Sequence, residues 1–284
     1  MFDSHFGFSA PPFQLTPDPS FYYESKGHGH ALSFLKYGVY QREGFVVVTG
    51  EIGSGKTTLV RTLLEGLNVR EVVAAHVVNT QLDSYELLHS ICTAFHVQVP
   101  GPSKAQMLAT LEAFFTALAA SGRRALLVVD EAQNLGLKEV EELRMLSNFQ
   151  LGPYALLQSF LVGQPELRHM LRSSAMEQLR QRVTAACHLG PLSVFETRAY
   201  IEHRLRRVGW STVPAIADEA FVAIHSFSGG IPRRINVLCT RVLLGSWVSN
   251  RNDVGLEEVR SAAAELGAEV GGEAVPALVK SALI

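Results

Sequence analysis

The chain has 284 residues, 47% hydrophobic and 18% charged, enough apolar material for a sizeable core and too much for a disordered tail. Lys plus Arg total 25 against 27 Asp plus Glu, and the net charge of −2 argues against both a strongly cationic nucleic-acid coat and an acidic solvating protein. Cys92, Cys187 and Cys239 lie far apart without a C-x-x-C pair, which speaks against a disulfide framework or a zinc ribbon and fits a reducing cytoplasm. No apolar run approaches the roughly 18 residues of a membrane helix, and the start MFDSH lacks a basic secretory n-region.

In chain order, Phe2, Phe6, Phe8, Phe13, Phe21, Tyr22 and Tyr23 make the N-terminus too aromatic for a solvated tail. With a first helix they predict an arm, residues 1–43, packed on an α/β core at 44–190. Short β-branched runs predict strands at Phe45–Thr49, Val72–Val78, Ala125–Val129, Leu156–Val162 and Thr184–Leu189. Helical patterns follow at Lys56–Leu67, Tyr85–Phe95, Lys104–Ala120, Lys138–Phe149 and Pro165–Leu171. This alternation is the sequence form of a parallel sheet covered on both faces. After Pro191 only helical patterns remain, predicting an all-helical module at 191–266. Its first helix opens on a capping box, Ser193 with Glu196, and another starts at Pro232. Residues 267–284 are small and apolar and predict a loose tail.

The strongest chemical signal is Gly50-Glu51-Ile52-Gly53-Ser54-Gly55-Lys56-Thr57, a complete G-x-x-x-x-G-K-[ST] between a strand and a helix. Its glycines let successive N–H groups face phosphates, the helix N-terminus adds positive charge, and the loop runs on to Thr58. Lys56 would reach the β- and γ-phosphates and Thr57 would ligate Mg²⁺. The second signal is the strand ALLVV delivering Asp130 and Glu131 at its C-terminal end. Asp130 would hold Mg²⁺ through its water shell, and Glu131 would orient and deprotonate the attacking water. Asn79, ending another strand, is placed to hydrogen-bond Glu131. No Asn-Lys-x-Asp guanine-reading motif occurs, which favours ATP over GTP.

Gln164 ends the strand LLQSFLVG, where its amide would meet the γ-phosphate or the lytic water. Arg180 and Arg182 precede the last strand; at a spacing of two they cannot share a helix face, so at most one acts on a neighbouring subunit's nucleotide. Arg233, in the first turn of the Pro232 helix, opposes the helix dipole unless an anion lies nearby, which points to phosphate sensing. His28 and His30 are close but lack the partners of a metal set.

Phosphate loop, Asp-Glu strand, polar strand end, pre-strand Arg and a helical module with Gly-x-Pro-Arg, in that order, resemble an AAA+ ATPase. The segments PFQLTPDP and ALSFLKYGVYQREGFVVVTGEIGSGKTTLVR resemble the ExeA/GspA-type secretion ATPases. ALLVVDEAQNL, LLQSFLVGQPEL, EQLRQRV, ETRAYIEHRLRRVGW and GGIPRRIN resemble the branch associated with exosortase (XrtA, PEP-CTERM) loci, which also carry exopolysaccharide genes. The resemblance implies a P-loop NTPase of the α/β class with a five-stranded 51432 parallel sheet and a C-terminal helical lid. It further implies ATP and Mg²⁺ bound between them, and activation by assembly into a homo-oligomeric ring. Its partners would be envelope export or polysaccharide-assembly proteins, and its place the cytoplasm or the periphery of the inner membrane. The rival expectation is a DNA-bound adaptor resembling transposition regulators, to which Arg198, Arg204, Arg206 and Arg207 on one lid helix would contribute unless Glu196 and Glu202 pair with them.

Overall fold

The computed structural model describes residues 2–78, 81–99, 101 and 103–270. The chain divides into two compact units, one of residues 28–51 and 56–189, the other of 1–27, 52–55 and 190–284.

In the α/β unit the strands are β1 (Phe45–Gly50), β2 (Val72–Val77), β3 (Arg124–Val129), β4 (Gln150–Leu151), β5 (Tyr154–Ala155), β6 (Leu157–Gly163) and β7 (Val183–Leu189). Five of them form one sheet in the order β2-β3-β6-β1-β7, parallel at every pairing. Counted among these five alone, that is the 51432 order expected. β1 and β6 are buried along their whole length, as a sheet with both faces covered requires. Ala125, Leu127 and Val129 face a core shared with Leu87, Leu88 and Ile91 of α4 (Ser84–Ala94) and with Met107, Leu111 and Phe115 of α5 (Lys104–Ala120). Burying each such side chain contributes roughly 1.5–3 kcal/mol.

The remaining helices of this unit are α2 (Lys26–Gln41), which enters it at His28, α3 (Lys56–Glu65), α6 (Leu137–Leu146), α7 (Pro165–Arg172) and the single turn α8 (Glu177–Arg180). The helix expected over Lys138–Phe149 stops early. Ser147 caps it, and Gly152-Pro153 turns the following residues into the β4–β5 hairpin, so local turn chemistry overrides the apolar period.

The helical unit holds α1 (Phe2–Phe6), α9 (Val194–Arg207), α10 (Asp218–Ser228), α11 (Pro232–Val248) and α12 (Leu256–Val270), with a short parallel pair β8 (Ala215–Ile216) and β9 (Asp253–Val254). The capping box is present as read: Glu196 N–H donates to Ser193 Oγ (3.3 Å), and Ser193 N–H donates to Glu196 Oε2 (2.9 Å). Helix α12 continues to Val270, so residues 267–270 are not a loose tail, and 271–284 lie outside the described residues.

The arm is divided differently from expectation. Residues 1–27 belong to the helical unit and only 28–43 to the α/β unit. Phe6, Phe8 and Phe13 are buried in one core with Ile201, Leu205, Phe221 and Leu238. The arm is fastened there by Arg204, which is 6% exposed. Its Nε donates to Pro12 O (2.7 Å), Nη2 to Gln14 O (3.3 Å) and Nη1 to Tyr200 Oη (2.8 Å), while the guanidinium lies 4.9 Å over the Phe21 ring. Arg204 is thus no part of a solvent-facing basic surface. Arg198 is tied to Glu202 (2.9 Å) and Asp218 (2.7 Å), and Arg206 to Glu202 (2.7 Å), so three of the four α9 arginines named above are paired within the unit.

Replacing Arg204 with Ala strands the buried Pro12 carbonyl, at about 1–3 kcal/mol, takes a donor from the half-buried Gln14 carbonyl and removes the ring contact. We expect Arg204→Ala to lower the melting temperature by roughly 5–10 °C and to make residues 1–23 cleavable in limited proteolysis. A parent-like melt and digestion pattern would show that the arm is held by its aromatics alone.

Candidate functional site

β1 ends at Gly50, and the chain turns through Glu51–Gly55 into α3 with Gly53 at φ +81° and Gly55 at φ +96°. Both angles are ones that L side chains rarely adopt. The tip of the loop belongs with the helical unit: Arg233 N–H donates to Gly53 O (3.1 Å), and a Cβ on Gly53 would fall 2.3 Å from the Arg233 Cβ. Ser54 is buried, Ile52 and Glu51 are exposed, and Thr58 lies in the first turn of α3. Lys56 is 6% exposed and curls back over its own loop, Nζ donating to Gly50 O (2.8 Å) and Glu51 O (3.0 Å). Burial pulls its ammonium below the ordinary lysine value, while Glu131, Asp130, Glu51 and Glu166 act in the opposite direction.

Thr57 Oγ1 donates to Asp130 Oδ2 at 3.0 Å, bringing together the two expected metal groups. Asp130 is 2% exposed. Burial would raise its carboxyl, but His76, the Glu131 N–H and the Thr57 hydroxyl outweigh burial and hold it below the ordinary aspartate value. His76 Nε2 lies 3.7 Å from Oδ2, too far for a direct hydrogen bond but close enough for charge to act. A hydroxyl and an ionised carboxylate are hard oxygen donors, and Mg²⁺ typically takes only one or two protein ligands beside phosphates and water. The donor set therefore fits Mg²⁺. Among the described residues no cluster of three His, Cys, Asp or Glu forms a dedicated metal cage.

Glu131 follows in the left-handed region (φ 51°, ψ 36°), an uncommon place for a non-glycine residue, and its N–H donates to Asp130 Oδ1 (2.9 Å). Gln164 Nε2 donates to Glu131 Oε2 (3.1 Å), which brings the strand-end amide and the expected base together. Sequence reading missed Gln133. Its Nε2 donates to the same Oε2 (2.6 Å), and its Oε1 accepts from Gln164 N–H (2.9 Å). Only an alignment of the β3 and β6 ends predicts that meeting. Asn79 lies outside the described residues.

The two pre-strand arginines differ. Arg182 Nη1 donates to Ser147 Oγ (2.9 Å) at the C-cap of α6, a structural use. Arg180 is exposed at the end of α8, with Nη1 on Leu171 O and Arg172 O (both 3.3 Å). Arg233 is exposed in the first turn of α11.

Residues 39–171, from the end of α2 to α7, match the family described as AAA domain. That stretch of the chain is similar to an AAA domain. Its strand order, phosphate loop and Asp-Glu strand end are those of a P-loop ATPase. The chain is 39% identical over 267 residues to General secretion pathway protein A of Aeromonas hydrophila, an alignment covering 94% of this chain and 48% of that protein. The chain thus spans about half the length of this curated relative. Among solved structures, the Aeropyrum pernix ORC2 protein superposes at TM-score 0.68 with 19% identity, over 91% of this chain and 72% of that one. The Thermotoga maritima RuvB Holliday junction branch migration motor superposes at 0.57 with 20% identity, over 84% and 68%. At such identities these two establish the fold.

Placing a side chain on Gly53 costs about 1–2 kcal/mol for the backbone angle before the clash with Arg233 is counted. Gly53→Ala should therefore weaken nucleotide binding by the AAA domain at least about tenfold in an equilibrium titration. Unchanged affinity would mean that the loop tolerates another path.

Proposed function

We propose that this chain binds and hydrolyses ATP as a homo-oligomeric AAA+ motor or switch for an envelope protein-export or exopolysaccharide system of the exosortase-associated kind. The observation that carries the hydrolytic part is the grouping of Thr57, at the start of α3, with Asp130, Glu131 and Gln164, after the ends of β3 and β6. The loop from Gly50 to Thr58 offers backbone N–H groups to the phosphates, and Lys56 exchanges its two loop carbonyls for phosphate oxygens. Mg²⁺, held by Thr57 and through water by Asp130, would neutralise charge on the β- and γ-phosphates. Glu131 takes a proton from the water that attacks the γ-phosphorus, with ADP leaving and phosphate formed; Gln164 steadies the water or the γ-phosphate. Arg233, whose helix starts on the loop tip, reads the γ-phosphate, and Asn79 is assigned from the sequence alone as a partner of Glu131.

The export assignment is supported by the identity to General secretion pathway protein A across nearly the whole chain. Among the described residues no helix is long and apolar enough to cross a membrane, compatible with work in the cytoplasm or at the inner-membrane surface. Steady-state hydrolysis with and without duplex DNA separates this reading from the adaptor one. Turnover that depends on DNA would reject the export reading.

Lys56→Ala should abolish ATP binding, whereas Glu131→Gln should bind ATP and fail to turn it over. With ATP at about 100 times Kd, binding stabilises the folded chain by roughly 2.7 kcal/mol, a melting shift of several degrees that Glu131→Gln should keep and Lys56→Ala should lose. Parent-like turnover by Glu131→Gln would remove it as the base.

Because Arg182 is spent on Ser147 and Arg180 is exposed, Arg180 is the proposed trans-acting group. Arg180→Ala should bind ATP normally and lose about 10³-fold or more in assembled turnover, partly restored by mixing with Lys56→Ala subunits. Arg182→Ala should chiefly lower the melting temperature. The reverse pattern would exchange their roles.

A further inference from the structure

Gln133 lies in the turn Ala132–Asn134 directly after the Asp-Glu strand end, a place where an amide is ordinarily a solvated loop residue. Here both ends of its side chain are engaged inside one unit. The donor end holds Glu131 Oε2 at 2.6 Å, and the acceptor end takes the Gln164 N–H at 2.9 Å. Gln164 Nε2 reaches the same carboxylate oxygen at 3.1 Å, which closes a ring of three hydrogen bonds between the end of β3 and the end of β6.

An independent feature serves the same arrangement. Residue 163 is glycine, and a Cβ there would meet Gln133 Oε1 at 2.7 Å, Leu167 Cδ2 at 3.0 Å and Gln133 N at 3.3 Å. The last residue of β6 is therefore bare where the Gln133 side chain passes. Glu131 also needs support, because its backbone is held at a left-handed angle and its side chain has several rotatable bonds. Two N–H donors on one carboxylate oxygen fix its rotation, and a base misplaced by about 1 Å can cost on the order of 10²-fold in rate.

We infer that Gln133 is a positioning residue that braces the Glu131 carboxylate against the Gln164 end of β6, so that base and strand-end amide keep one common geometry. The inference rests on Glu131 being the base. Gln133 touches neither phosphate nor water in this role; it acts through Glu131 and Gln164.

The test uses the full chain and reads kcat, KM, nucleotide affinity and melting temperature. Gln133→Met removes both ends of the brace at similar length. Gln133→Glu keeps an acceptor for the Gln164 N–H but sets a second carboxylate oxygen against Glu131, where like charges repel. Gly163→Ala pushes on the brace without changing any of its polar groups. We expect kcat to fall about 10- to 100-fold in Gln133→Met, to fall further in Gln133→Glu, and to fall in Gly163→Ala, with ATP affinity close to the parent in all three and melting temperature close to it in the two Gln133 variants. A merely structural tie to Gln164 predicts the opposite order, with the Glu variant the milder. That order, parent-like kcat in Gln133→Met, faster turnover in Gln133→Met, or lost ATP binding would each overturn the brace. Glu131→Gln is run beside them: if it is inactive while the Gln133 variants turn over normally, only the brace fails. If Glu131→Gln itself turns over normally, the base reading fails and takes the brace with it.

Discussion

All five strands of the main sheet run the same way, and everything at the site follows from that single constraint. Parallel pairing leaves each strand's carboxyl end at one edge and sends the chain back to the other edge through a crossover, almost always right-handed. The register keeps those ends level: Thr49 pairs with Gly163, Val129 with Leu161 and Val77 with Val129. The residue after each end then has neighbours it cannot acquire locally. Asp130 meets Thr57, and Glu131 meets Gln164, because β3 lies beside β6 and β6 beside β1. Open α/β sheets bind ligands at this edge for the same reason.

Within that frame one residue type is put to unlike uses. Arg182 and Arg204 are turned inward onto carbonyls and hydroxyls, the first onto Ser147 and the second onto Pro12, Gln14 and Tyr200. A guanidinium has five donors in a rigid fork, so it can close several chain carbonyls at once where lysine has only a point charge. Arg180 and Arg233 are exposed at an end of a short helix and at the start of a long one, where an outside anion can reach them. The type alone says nothing of which use applies; the neighbours decide.

Much of this was readable in advance. The phosphate loop is legible because its chemistry is contiguous: eight consecutive residues contain the turn, the cradle and the helix start. The Asp130-Glu131 strand end is legible because five apolar residues precede it, and the Ser193 cap because its partner is three residues away. What escaped depends on distance along the chain. Gln133 and Gln164 meet 31 positions apart, and Arg182 and Ser147 35 apart, through the sheet and not through any pattern. The arm was assigned to the wrong unit for the same reason, since the length of its aromatic run reveals that it packs but not where. The hairpin after α6 escaped differently, because Gly152-Pro153 outweighed an apolar period that runs on to Phe149.

The interleaving of the two units has a consequence for how the chain comes off the ribosome. Residues 28–51 and 56–189 are made without interruption from the other unit except at the loop tip, so the sheet can close while the rest is still being synthesised. The arm has no such opportunity. Pro12 must wait for Arg204, 192 positions later, which at elongation rates of about 5–20 residues per second is an interval of roughly 10–40 s. For that time Phe6, Phe8 and Phe13 are exported from the tunnel without the helices that bury them. The helical unit is therefore the last part to form, and until its later helices are made the exposure of the nascent chain to aggregation is concentrated in the aromatic arm.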